Sequence, residues 1–332
     1  MKGMKRRRPK SREGIDRDGL RGRPLAWSLA AALFLGGVVE AQVVNPADKA
    51  RDEGTKGEAA TAQSAQGPPP AGTAPEKHLR SFELPPVKVI GEEPAALKEE
   101  ELIGPNQQPR WTAHRRFSET RIYVAPPGTF EFEFWLIPEI PRKGPANVKT
   151  QFEFEMGLPY RFQVDLYAVA DKTGNQGGFS FDEEKLEARW AFADWGKIPG
   201  NPTLYLEWAL HDMEPDSLEM KLLLGDQIAP RWHWGANLVY ERELGAAGEN
   251  NYEINTGVSY AVVDTLLSVG VEEKFAFADE KGSRGTFTTQ VLVGPSFQIR
   301  PVPQAHFDFA PLIGLTGDAP RAELFFVLGW EF

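Results

Sequence analysis

The chain has 332 residues, 37 Lys and Arg against 47 Asp and Glu, and no cysteine. A length of this order holds one large domain or two ordinary ones, and the acidic balance excludes a nucleic-acid partner, which needs a basic face to displace counterions. Zero cysteine excludes disulfides, thiolate metal sites, a thiol nucleophile and a lipidated cysteine anchor.

Residues 1–24 carry ten Lys or Arg, including Lys5-Arg6-Arg7-Arg8; an apolar stretch covers 25–39, and Val39-Glu40-Ala41 precedes Gln42. A basic region, an apolar run of about 15 residues and small residues at the cut make a secretory signal. The run is shorter than the ~20 residues of a spanning helix. Residues 1–41 are therefore read as a signal peptide. Removing their ten basic and four acidic side chains leaves 27 basic against 43 acidic, a net of −16.

Residues 42–83 are rich in Ala, Pro, Gly and Thr, with Pro68-Pro69-Pro70 in the middle. Such composition buries too little apolar surface to offset its ordering entropy, and predicts a disordered N-terminal leader in the periplasm. Residues 84–92, LPPVKVIGE, resemble the energy-coupling box of TonB-dependent receptors, but those barrels of about 22 strands exceed what this chain can supply. Residues 84–128 are assigned as a periplasmic segment or candidate plug, on the strength of Arg110, His114, Arg115, Arg116 and Arg121.

From Thr129 the pattern changes. Phe130, Phe132, Phe134 and Leu136 alternate with Glu131, Glu133 and Trp135, and comparable alternation recurs to the carboxyl terminus. Period two with opposite polarity on the two faces marks a strand between two solvents. Twelve such segments are predicted over 129–332. An even number suits a closed antiparallel transmembrane β-barrel, and the fold class is read as all-β on that ground. Connections also alternate: glycine-rich charged loops such as 278–285 against tight turns such as 157–159, 225–230 and 263–264. Outer-membrane barrels have that asymmetry, although the connection at 194–201 is longer than the pattern wants. Leu324, Phe326, Leu328, Trp330 and Phe332 form one apolar face on the last segment. An amphipathic strand ending in an aromatic resembles the signal read by the barrel-assembly machinery, with Leu328, Trp330 and Phe332 as its candidate residues. Trp190, Trp208, Trp234, Tyr252, Tyr260 and Trp330 are candidates for interfacial aromatic girdles.

If the apolar face meets outer-membrane lipid, the other face lines the interior. That face carries Glu131, Glu133, Glu153, Glu155, Asp165, Glu187, Glu207, Glu219, Glu241, Glu253, Glu272, Asp308, Glu323 and Glu331, against Lys149, Arg189, Lys221 and Lys274. Such an excess predicts a cation-favouring lumen. Arg110, Arg115, Arg116 and Arg121 then become candidate plug residues by charge complementarity, and deleting 42–118 is expected to raise conductance.

The texture of 129–332, with GLPYRF at 157–162 and LVGPSFQIRP at 292–301, resembles bacterial outer-membrane transporter barrels associated with phenol-degradation pathways. The resemblance implies a porin-like barrel and passage of small molecules, and transfers no functional residue. Enzymatic readings fail on spacing. None of His78, His114, His211, His233 or His306 has a Ser two residues on, as an outer-membrane phospholipase needs. His306 and Asp308 share a face, but two ligands do not make a metal site. No catalytic group, metal or cofactor is expected. The sequence thus predicts a Gram-negative outer-membrane channel or transporter whose partners are lipid, the assembly machinery and small-molecule or cation solutes. The alternative is a non-conducting barrel with a structural or surface-interaction role.

Overall fold

A computed structural model describes residues 97–332 apart from 175–176, 246–247 and 280. The signal peptide expected at 1–41, the linker at 42–83 and the start of the 84–128 segment lie outside the described residues.

The first described residues form a short turn at Lys98–Glu100, a hairpin of two-residue strands β1 (Leu102–Ile103) and β2 (Gln108–Pro109), and a further turn at Arg110–Thr112. Twelve long strands follow: β3 (Phe130–Ile140), β4 (Asn147–Leu158), β5 (Phe162–Thr173), β6 (Ser180–Ala191), β7 (Thr203–His211) and β8 (Ser217–Ala229), then β9 (Trp232–Glu243), β10 (Asn250–Val263), β11 (Leu267–Asp279), β12 (Thr288–Val302), β13 (Ala305–Gly314) and β14 (Ala322–Glu331). Each pairs antiparallel with its chain neighbour, and β14 closes on β3, with Trp330 opposite Phe132 and Gly329 opposite Glu133. Closure leaves no edge to template aggregation. The twelve-strand barrel expected from the alternation is therefore present.

Strand formation follows from the residues. Aromatic and aliphatic side chains at every second position pack across strands on the outer face: Phe162 stacks on Trp190 at 6.0 Å, and Phe309 on Phe326 at 4.8 Å. This face leaves Leu206, Trp208, Met220, Leu238, Val271 and Leu328 roughly half exposed. An apolar belt of that extent calls for lipid rather than water. Trp232 joins it, a residue the girdle assignment missed.

The connections differ at the two ends of the barrel. One end holds both β3's start and β14's finish, together with tight turns: Tyr160 and Arg161 take positive φ between β4 and β5, Arg231 between β8 and β9, and Thr265 between β10 and β11. The exception is the connection from β6 to β7, residues 192–202. The longer loops lie at the other end.

Candidate functional site: an ion-paired barrel interior

Residues 97–128 pack inside the turn end of the barrel. Their apolar residues Trp111, Phe117, Ile122, Tyr123 and Val124 form a buried cluster with Ala191 of β6, flanked by Trp195. Trp195 belongs to the long β6–β7 connection. Its ring meets Trp111 at 5.6 Å and Tyr123 at 5.2 Å, both edge-on, and its backbone N–H donates to Asn106 O at 2.9 Å. Tyr123 Oη donates to Ala193 O at 2.7 Å. Burial, and then Asp194, push this phenol up to about 12. The connection that looked too long for a turn is a docking platform for the inner segment.

Glycines on the inner wall make room for that segment. A Cβ on Gly157 would stand 2.0 Å from Pro126 O, one on Gly225 2.4 Å from Ile122 Cγ2, and one on Gly257 2.6 Å from Phe117 Cδ1. Backbone groups add polar fastening. Asn237 accepts from Arg121 N–H at 2.8 Å and donates to Arg121 O at 2.6 Å, so its amide serves as a substitute backbone. The Glu272 carboxylate accepts the N–H groups of Ser118 and Glu119 at 2.9 and 2.8 Å. Gln163 accepts from Ala125 N–H at 2.6 Å, and Asp264 from Lys98 and Glu99 at 2.8 and 3.1 Å.

The arginines carry the electrostatics. Arg115 donates to Glu133 through two nitrogens, lies within 3.4 Å of Glu155 and 3.5 Å of Glu153, and covers the Trp135 ring at 4.2 Å. Arg121 pairs with Glu153 and, at 2.9 Å, with Glu155. Arg116 instead turns to Glu99 at 2.9 Å within its own segment, and to Ser268 of β11. Arg110 pairs with Glu101 at the surface and takes no part in the acidic cluster. His114 sits 3.1 Å from Glu331. Burial first, then the charge of Arg300, hold its imidazole well below the usual range, so it is neutral there.

Most of the remaining acids named from the sequence are paired within the barrel wall, while Glu241, among the described residues, accepts only from the Asn251 amide at 3.3 Å. Asp165 meets Arg189 at 2.8 Å, and Glu187 meets Arg189 and Tyr167. Further toward the loop end, Glu207 takes Lys185 at 3.2 Å and Tyr205 at 2.6 Å, and Glu219 takes Lys221 at 2.8 Å. Lys274 stands 3.3 Å from Glu119 of the inner segment, and 3.8 Å from both Glu253 and Glu323. Asp308 holds His306, and Glu131 lies beside the same ring. The sequence reading missed Lys185, Gln163, Asn237 and Ser268; the strand parity that marked Glu187 also marks Lys185.

Acidity does not extend around the whole inner wall. Leu292, Ala310, Leu312, Phe325 and Val327 pack with Trp135 and Ala319 into an apolar cluster on β12–β14. The interior is thus an ion-paired sector beside an apolar one.

A closed barrel, lipid-suited outside and ion-paired inside, is the architecture of an outer-membrane β-barrel. No family model and no curated protein matches the chain. Among solved structures it is similar to an outer-membrane channel from Pseudomonas putida F1 at 9% identity, covering 64% of this chain and 98% of that one, with a TM-score of 0.47. It is also similar to the NanC porin at 10% identity, covering 61% and 98%, with a TM-score of 0.42.

Proposed function

We propose that the protein is an outer-membrane channel for small solutes, held closed at its turn end by residues 97–128 and opened when that segment leaves. The observation that carries this is the seating of Arg115 and Arg121 on Glu133, Glu153 and Glu155. These charges are buried: the Arg115 and Glu133 side chains are 1% and 0% exposed. With the segment withdrawn, Glu133, Glu153 and Glu155 lose their arginine partners, Glu272 loses the N–H groups of Ser118 and Glu119, and all four line a water-filled lumen. Their uncompensated negative charge then raises the local cation concentration, which gives the cation preference read from the sequence. Small hydrophobic compounds of the kind suggested by the phenol-degradation resemblance are the first solutes to screen.

The test is single-channel recording in a planar bilayer. The chain from Gln42 onward is compared with the same chain carrying Arg115→Gln and Arg121→Gln. Rare openings in the first and frequent cation-selective openings in the second are expected. Silence in both, with inserted and folded barrel, would leave the non-conducting reading in its place.

A further inference from the structure

His306 and Asp308 share the inner face of β13, and the structure brings two more acids to them. The strand register sets His306 opposite Gly329 on β14, and Gly329 opposite Glu133 on β3. A Cβ on Gly329 would stand 1.7 Å from His306 Nε2. Only a glycine there lets the imidazole lie flat over β14 and reach the next strand. Its Nε2 lies 2.8 Å from Glu131 Oε1 and 3.3 Å from Glu133 Oε1. On the other side of the ring, Nδ1 is 2.5 Å from Asp308 Oδ2.

The chemistry of this group is specific. His306 is 2% exposed, Glu133 0%, Asp308 1% and Glu131 8%. A carboxylate on Nδ1 fixes the tautomer that turns the Nε2 lone pair outward, the arrangement that orients metal-ligating histidines. With the Nδ1 proton given to Asp308, the Nε2 lone pair faces a Glu131 lone pair at 2.8 Å, a contact that needs a proton or a cation between the two atoms. Two buried ligand atoms therefore stand side by side, with a Glu133 oxygen 3.3 Å from the same nitrogen. Arg115 donates to both Glu133 oxygens and the Trp135 indole N–H to Oε2 at 3.0 Å, which fixes that carboxylate and leaves Oε1, the oxygen facing His306, a further lone pair.

We propose that Glu131, Glu133 and His306 bind one divalent transition-metal ion, with Asp308 as the positioning residue. One imidazole nitrogen with carboxylate oxygens suits zinc(II) best among common ions. Three protein ligands leave a coordination position for water or a solute group. The site stands whether or not the barrel conducts.

The experiment uses the refolded chain from Gln42 onward, stripped with a chelator, with zinc alone as the probe. Calorimetry and metal analysis after desalting are expected to give one retained equivalent. Glu131→Gln and His306→Gln are each expected to bind at least ~10-fold more weakly, and Asp308→Asn ~10–100-fold more weakly, as second-sphere changes do. X-ray absorption should place one imidazole nitrogen at about 2.0–2.1 Å. Asp182, Glu183 and His211 also stand close enough together to hold an ion, so His211→Gln serves as the control and is expected to leave the equivalent in place. Glu131→Gln is isosteric, and heat-modifiable gel mobility verifies its fold. Zinc retention undiminished in Glu131→Gln, loss only in His211→Gln, or no retained zinc in the parent chain would overturn the assignment. In the last case the His306 cluster is held together by a proton.

Discussion

Gly257 on the inner wall of β10 leaves the space that the Phe117 ring fills. A Cβ at that position would lie 2.6, 2.8 and 3.0 Å from three of the ring's atoms. The wall and the inner segment are thus matched in shape as well as in charge. Neither reason for a glycine that applies in turns, positive φ or local flexibility, explains one in the middle of a strand; close approach does.

That fit gives the first prediction. Gly257→Val should displace Phe117, since overpacking a tight contact costs about 1–3 kcal/mol. The expected result is faster trypsin cleavage within 97–128 while the barrel keeps its heat-modifiable mobility. Adding Phe117→Ala should slow cleavage again by restoring room. If Gly257→Val is cut no faster than the parent, the ring is not seated there in solution.

The second prediction separates buried from surface arginines. Arg115→Gln leaves buried carboxylates uncompensated, and breaking such a pair from one side costs about 3–5 kcal/mol. Arg121→Gln acts on the same cluster. Arg110→Gln should cost at most ~1 kcal/mol, because its pair with Glu101 is about half exposed. Denaturant titration followed by Trp111 and Trp195 fluorescence reports on the docked segment. Equal effects at positions 110 and 115 would remove the special standing of the acidic cluster. Glu153→Gln added to Arg121→Gln should recover part of the loss, since the orphaned charge goes with it.

Much of this was legible in the sequence, and the reasons are physical. Period-two alternation is a local property, so all twelve strands could be counted from it. The Glu residues of β3 and β4 could be placed on one face by the same parity. Partner choice was not local. Arg115 and Arg116 are adjacent and equally basic, yet one faces β3 and the other turns to Glu99; an irregular backbone carries no period to say which. Nor could parity reveal that His306 reaches Glu131. That contact depends on register across β14 and on a glycine whose significance appears only when the strands are laid side by side.

The third prediction concerns the last strand. Leu328, Trp330 and Phe332 are 53%, 49% and 75% exposed, all three on or next to the outer face of the strand that closes the barrel. Phe332 N–H donates to Phe130 O at 2.9 Å, so the terminal residue still belongs to the seam. We expect that Trp330→Ala with Phe332→Ala lowers the amount of folded barrel recovered from outer membranes several-fold, yet leaves refolding into detergent nearly intact. Comparable losses in both settings would point to a seam defect instead of a missing assembly signal.

The fourth prediction is a pH dependence of docking through His114. In the docked segment its imidazole is held below the ordinary range, by burial first and then by Arg300, His306, Arg116 and Arg110, while Glu331 lies opposite at 3.1 Å. Released into water, the same group returns to about 6.5. The undocked state then binds the proton more readily, so docking stability is fully present above about pH 6.5 and is lost as pH falls below it. Trypsin cleavage of 97–128, or open probability in a bilayer, should therefore rise between pH 7.5 and pH 5. His114→Asn removes the titrating group and should flatten that part of the profile, with little change at pH 7.5. Carboxylates in the acidic cluster titrate in both proteins, so the difference between the two profiles isolates the histidine. Identical profiles would mean that His114 does not sense the docked state, and that any acid response belongs to the glutamates holding Arg115 and Arg121.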